Sequence, residues 1–139
     1  VLVGGDDGIP RIYQVFRTKA RTMNQEDHNL LKTFEKQSAR VNAVTFSKDG
    51  LKVAVAGEAG VVNIYDSNSG KQLTSIKGIP GSTYAIAFRP SGSELAIGGM
   101  DGYVRIANVE NGAIVHTFVA APISQTARQR VQKTGNLRK

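Results

Sequence analysis

The sequence predicts an all-β chain built from a repeated, four-stranded antiparallel unit, and three observations predict it. Phe46-Ser47-Lys48-Asp49-Gly50 returns 42 residues later as Phe88-Arg89-Pro90-Ser91-Gly92. The same offset carries Gly57 onto Gly99, Gly60 onto Gly102, Val62 onto Val104, Ile64 onto Ile106, Asp66 onto Asn108 and Gly70 onto Gly112. Between these turn residues lie short runs of β-branched, aromatic and small side chains, and no apolar period of 3.6 persists long enough for a helical repeat. Four short strands per unit at a spacing of about 42 residues are the signature of a β-propeller blade.

Each unit reads as four strands in order. Residues 41–46 and 83–88 are first strands, closed by Ser-Lys-Asp-Gly and Arg-Pro-Ser-Gly, whose last Gly suits a left-handed turn position. Residues 52–56 and 94–98 are second strands, small and apolar on both faces, as a strand covered on two sides must be. Turns at Glu58-Ala59-Gly60 and Met100-Asp101-Gly102 lead to third strands at 61–66 and 103–108. There Val62/Ile64 and Val104/Ile106 are expected to alternate inward. Turns at 67–70 and 110–112 lead to fourth strands at 71–77 and 113–119.

A third copy lies upstream. Gly4-Gly5-Asp6-Asp7-Gly8 matches Gly98-Gly99-Met100-Asp101-Gly102, and Arg11-Ile12 matches Arg105-Ile106, at an offset of 94. That offset is one repeat plus 52, so about ten extra residues separate the first two copies. This copy starts inside its second strand and has no innermost strand. The expected organisation is an incomplete arc over residues 1–119. It comprises a partial blade at 1–35 with an insertion at 17–29, a second blade at 41–77 and a third at 83–119. A basic tail at 120–139 follows, expected to be disordered.

Residues 41–50, 53–57 and 60–66, and again 85–92, 95–99 and 101–108, resemble the blades of the WD40 (WD-repeat) family. The resemblance covers about residues 1–119. The Trp-Asp pair of that family is replaced by Tyr65-Asp66, Ala107-Asn108 and Tyr13-Gln14, and Lys36-Gln37-Ser38-Ala39 and Gly78-Ile79-Pro80-Gly81 stand where its Gly-His pair would open a repeat. The Asp-His-Ser/Thr-Trp network of full repeats therefore cannot form, and packing and turn chemistry are expected to hold the blades instead. Such worn repeats look bacterial. Residues 4–17 with 31–35 are also similar to bacterial secreted propellers that accompany cytochrome-like domains, but without Cys-x-x-Cys-His no haem is expected.

Composition narrows the chemistry. The 139 residues include no Cys and no Trp, which removes disulfides, thiolate metal sites and thiol nucleophiles. No run of 18 apolar residues exists, so no membrane-spanning helix is expected. No signal peptide is visible and the first residue is Val1, so a piece of a longer chain or a processed product is expected. The compartment stays open between cytoplasmic and periplasmic or secreted. Of the net charge of +7, five charges come from Arg128, Arg130, Lys133, Arg138 and Lys139 in a tail without acids.

No catalytic constellation and no cofactor is expected. His28 beside Glu26 and Asp27 falls short of the three or four ligands a metal site needs, so no metal is expected. His116 reads as a surface or interblade residue. Gly4-Gly5-x-x-Gly8 resembles a phosphate loop but lacks a following helix, and its copies mark hairpin turns. Asp6, Asp7 and Asp49 read as turn acids for the same reason. Arg17-Thr18-Lys19-Ala20-Arg21 after Tyr13 and Phe16 reads as a solvated connection before a basic–aromatic docking loop.

In the family it resembles, partners dock on the rim made by the loops that enter first strands and join second to third strands. That implies Arg40, Asn42, Glu58, Ser82, Tyr84, Met100 and Asp101 as partner-binding residues, with Ala59, Asp6 and Asp7 beside them. Arg40 and Tyr84 lead, because Arg and aromatic side chains dominate interface hot spots. The expected function is a non-enzymatic protein–protein interaction scaffold, a fragment or C-terminal arc of a larger propeller. Its partners would be proteins, further blades of the same propeller, or copies of itself. Two alternatives are an accessory or sensor domain of a bacterial secreted or cytochrome-associated protein, and a binder of nucleic acid or an anionic surface through the tail. The last ranks lowest, since no stacking platform is evident.

Overall fold

Alternating small and branched side chains between glycine turns leave the chain one economical solution, the antiparallel meander. The computed structural model describes residues 1–16 and 29–120. Most of the insertion, with His28 and the 17–21 segment, lies outside the described residues, and so does the tail beyond Ala120.

Three antiparallel sheets follow in chain order, and no helix occurs among the described residues. The first holds β1 (Leu2–Val3), β2 (Arg11–Tyr13) and β3 (Leu30–Thr33). The second holds β4 (Val41–Phe46), β5 (Lys52–Gly57), β6 (Val62–Asp66) and β7 (Gln72–Ile76). The third holds β8 (Thr83–Phe88), β9 (Glu94–Gly99), β10 (Tyr103–Asn108) and β11 (Ile114–Val119). In each, neighbours in space are neighbours in sequence, and no sheet closes into a barrel among the described residues. This is an incomplete propeller arc of one partial and two full blades.

Register reproduces the repeat. Ala54 pairs with Ile64 and Ala56 with Val62 in the second sheet; 42 residues on, Ala96 pairs with Ile106 and Gly98 with Val104. Every outermost pair carries a register shift at the same repeat position, between Ile12/Tyr13, Ile64/Tyr65 and Ile106/Ala107. Gly60, Gly102 and Gly8 close the turns between second and third strands at φ of 67°, 77° and 72°, a region that glycine enters without penalty. The Gly4–Gly8 segment is thus one of three equivalent turns.

Two cores hold the arc together, and both lie between blades. Between the first and second sheets, Phe34, Val41, Val53, Val55 and Tyr65 pack with Leu2, Ile12 and Val44. Between the second and third, Ala54, Ala56, Val62, Ile64 and Ile76 meet Leu95, Ile97, Ala107, Val109, Ile86 and Phe88. The second strand β5 is therefore buried on both faces, as its composition predicts.

The third blade departs from expectation. Val62 and Ile64 are fully buried, but Val104 and Ile106 are only half-buried; Arg105, Ala107 and Val109 take the covered face of β10. The alternation is intact. What differs is the neighbour: the face of Val104 and Ile106 has no blade against it among the described residues.

Candidate interaction surface

The turns joining second to third strands gather at one end of the arc with the segments entering first strands. Backbone bonds fix this end. Glu58 N donates to the Arg40 carbonyl at 3.1 Å, and Met100 N donates to the Ser82 carbonyl at 2.9 Å, the same bond in two blades. Val41 N donates to Gly5 O at 3.1 Å and Gln37 N to Gly8 O at 2.7 Å, which ties the first blade's turn to the loop entering the second. The rim is thus positioned by main chain, and its side chains are left to differ.

The structure brings three of the rim residues together. Arg40 Nε lies 3.0 Å from Asp6 Oδ1 and 3.9 Å from Glu58 Oε1, so one guanidinium spans two blades. All three side chains are well exposed, where such a pair contributes about 1 kcal/mol or less. Their use is positional: Arg40 is held upright with donors to spare. Asn42 does something else. Its Nδ2 donates to the Thr83 carbonyl at 3.3 Å, which links the second blade to the third.

On the third blade, Tyr84 and Met100 are 56% and 68% exposed. The Met100 side chain lies against Gly81. Ser82 is half-buried, serving through its carbonyl, and Ala59 is exposed. Asp101 faces inward to Arg105, with a contact of 2.5 Å. The Arg105 hydrogen bond, helped by the Tyr103 backbone N–H, holds the Asp101 carboxyl below the usual aspartate range. Asp7 is the same device in the first blade: it accepts from Ile9 N at 3.0 Å and pairs with Arg11 at 2.7 Å, and these two bonds lower its pKa. Asp49, a turn acid at the opposite end, takes the Ser47 hydroxyl and Leu51 N, and its pKa falls likewise.

Beneath the rim lies a polar network that the sequence reading missed. Asn63 Nδ2 donates to Gln37 Oε1 at 2.7 Å, and Gln37 Nε2 donates to the Tyr65 hydroxyl at 2.9 Å. Tyr65 is fully buried against Phe34, ring centroids 5.4 Å apart, and burial raises its pKa. Packing and turn chemistry are therefore not the whole answer: a substitute network has formed from Gln37 at the histidine position and Tyr65 at the tryptophan position. The third blade solves the same site differently, with buried Ile79 and Ala107 at the equivalent positions and the Asp101–Arg105 ion pair where the second blade has Ala59 and Asn63. A signal was present, since residues 37/79, 63/105, 65/107 and 59/101 change together at the 42-residue offset.

His116 is exposed on the uncovered face of the third blade, beside Ala96 and Ile106. The rim thus displays the Arg40 guanidinium and the exposed Tyr84 and Met100 side chains.

Comparison with known proteins agrees with this geometry. A family model for the WD domain, G-beta repeat, matches residues 28–66, and one for the anaphase-promoting complex subunit 4 WD40 domain matches residues 80–127. WD repeat-containing protein 1 of Gallus gallus is 35% identical over 81 residues, covering 56% of this chain and 13% of the relative. U3 small nucleolar RNA-associated protein 13 of Saccharomyces cerevisiae is 28% identical over 89 residues, 64% of this chain and 11% of the relative. Actin-interacting protein 1 of Drosophila melanogaster is 30% identical over 122 residues, 86% of this chain and 18% of the relative. The chain thus spans less than a fifth of these relatives, and all three are eukaryotic, which lends no support to a bacterial origin.

Proposed function

This chain belongs to the WD40-repeat family, and from that premise we propose that it is a non-enzymatic scaffold, one arc of a larger propeller, whose rim binds a protein. The observation that carries the reading is the rim itself. Backbone bonds repeated from blade to blade fix its loops. Upon them stand Arg40, spanning two blades, and the exposed pair Tyr84 and Met100. Arg and aromatic side chains on a rigid base lose little entropy on binding and supply most of the energy at interfaces. Asn42 and Asp101 act in support, because each already has an internal partner.

The Drosophila relative is named for interaction with actin and matches most of this chain. Actin is therefore the first protein to assay. In a binding titration, Arg40→Ala and Tyr84→Ala should each weaken binding by about tenfold or more, while the melting temperature stays within a degree or two. Unchanged affinity in both variants places the contact elsewhere. Binding that fails with actin and other proteins, follows polyanions and weakens steeply with salt overturns the scaffold reading.

A further inference from the structure

The first and second blades meet less fully than the second and third, and the repeat shows where filling is missing. Val109 is 2% exposed and packs in one core with Ile64 and Phe88, closing the junction of the second and third blades at the end opposite the rim. Thr74 seals the same junction by donating to the Glu110 carbonyl at 3.1 Å, and a methyl group on Gly112 would lie 2.7 Å from the Ser75 carbonyl oxygen. Between the first and second blades each of these devices is changed. Ser67 stands at the position of Val109, and its hydroxyl donates to the Gly50 carbonyl at 2.6 Å. Lys32 stands opposite Ile12 as Thr74 stands opposite Ile64. A methyl group on Gly70 would meet side-chain carbons of Lys32 and Phe34, the nearest at 3.2 Å, and no main chain within 4 Å. The outcome is a groove of about 300 Å³ lined by Ile12, Leu31, Lys32, Phe46, Ser67 and Asn68. Both of its walls are blades of this chain.

The surroundings fit one kind of occupant. Ile12, Phe46 and the exposed Leu31 offer apolar surface. Leu51, whose carbonyl accepts the Ser67 N–H at 2.9 Å, adds an exposed apolar side chain where the third blade has Ser93. Lys32 makes no ion pair among the described residues, and its stem lies along Gly70, which leaves the ammonium for a visitor. Lys48, Lys52 and Lys71 stand at the same end of the second blade. The acids there are already engaged: Asp49 accepts from the Ser47 hydroxyl and Leu51 N, and Asp66 accepts from Asn68 N, Ser69 N and the Ser69 hydroxyl. The surplus charge around the groove is therefore positive. We propose that this groove binds an acidic, extended segment of a partner protein, with one large apolar side chain seated by Ile12 and Phe46 and a neighbouring carboxylate on Lys32. A space at the small end of ligand sites takes one such side chain and not a folded element. This goes beyond the rim reading, since the groove lies at the opposite end of the arc and uses none of the rim residues.

Fluorescence anisotropy on the full chain tests it, with a short labelled peptide that carries one Leu between Glu residues. The unaltered protein should bind this peptide saturably, with a Kd below about a millimolar. Ser67→Val copies the third blade's residue, fills the groove and should weaken binding by about tenfold or more. Lys32→Glu should weaken it as much, and a peptide with Lys in place of Glu should bind Lys32→Glu better than it binds the unaltered protein. A misfolded variant cannot give that reversal. Absence of saturable binding up to about a millimolar overturns the proposal. So does equal binding of a peptide with Ala in place of Leu, which would leave charge as the whole contact. Affinity that Ser67→Val does not move overturns it too, as does a loss in Arg40→Ala in place of the groove variants, which would put the peptide on the rim. The actin titration reads the rim and this one reads the groove, so the two readings fail separately.

Discussion

Gly5, Gly57 and Gly99 occupy one position of the repeat, yet the structure assigns them three different costs. A methyl group at Gly57 would lie 1.8 Å from the Arg40 carbonyl oxygen and 2.9 Å from its carbon. That oxygen accepts the Glu58 N–H at 3.1 Å, so it cannot retreat by the required ångström or more without losing the bond. Forcing the site open costs about 1–3 kcal/mol in overpacking, and the weakened backbone bond adds about 1 kcal/mol. The lower chain entropy of Ala in the unfolded state offsets about 0.4–1 kcal/mol. A contact as short as 1.8 Å to backbone puts the overpacking at the top of its range, so Gly57→Ala should destabilise by about 3 kcal/mol, close to half the total stability of a marginal domain. At Gly99 the nearest atom, the Ser82 carbonyl oxygen, is 3.2 Å away, and a shift of a few tenths of an ångström suffices. At Gly5 nothing lies within 4 Å, and the entropic gain should stand alone.

The assay is urea unfolding of the three variants, followed by far-ultraviolet circular dichroism with a common slope. The expected order is Gly5→Ala neutral or slightly stabilising, Gly99→Ala within about 1 kcal/mol, and Gly57→Ala near 3 kcal/mol. In a thermal scan the last should fall by about 12 °C at roughly 4 °C per kcal/mol. Equal costs at Gly57 and Gly99 would refute the reasoning, because repeat position would then outweigh local distance.

Three further outcomes follow from the polar contacts. Gln37→Ile copies the third blade's residue into the second, strands the Tyr65 hydroxyl and the Asn63 amide, and should cost about 1–2 kcal/mol in the same unfolding assay; a neutral result would mean the network contributes nothing. Burial raises the Tyr65 pKa, so the unfolded chain ionises first: the contribution is complete below pH about 10 and is lost as pH rises through the folded value. Tyr65→Phe should accordingly flatten the alkaline limb of stability against pH, measured between pH 9 and 11. The Asp101 carboxyl is lowered by Arg105, so its contribution is present above pH about 4 and lost as pH falls through the lowered value. Asp101→Asn should flatten the acid limb between pH 2 and 4, and an acid limb identical to wild type would show that the pair leaves stability untouched.

The strands were legible in the sequence because their signals are local. Glycine turns at a fixed spacing mark the ends, and the two-residue alternation marks the faces; β4, β8 and β10 occupy the residues expected. Burial was legible only where the neighbour is in the chain. Val62 and Val104 have the same pattern around them, and one is fully buried while the other is half exposed, since exposure depends on the next blade and no local pattern encodes that. The rim residues came from resemblance, which places loops but not side chains. It could not distinguish Asn42, turned to the Thr83 carbonyl, from Tyr84 at the equivalent position and exposed. Gln37 was read as the loss of a histidine, when it restores a hydrogen bond to the residue that replaces the tryptophan.

A tandem repeat supplies its own controls. Where blades agree, as at the turn glycines and the interblade aliphatics, the shared residue answers a demand of the fold. Where they disagree in concert, each set is a separate solution of one local problem. Gln37, Asn63 and Tyr65 are mutually satisfied, and Ile79, Ala107 and the Asp101–Arg105 pair are satisfied in another way. Mixing the sets would bury an unpaired hydroxyl or strand a guanidinium, so these positions are constrained by one another. Tyr84, Met100 and the outward donors of Arg40 belong to neither class. They differ between blades, and Tyr84 and Met100 stand well exposed with no such network to explain them, while the exposed ion pairs of Arg40 contribute little to folding. Residues that the fold does not require are the ones left free to serve a partner, which is the reason to look for binding on this rim before any other part of the arc.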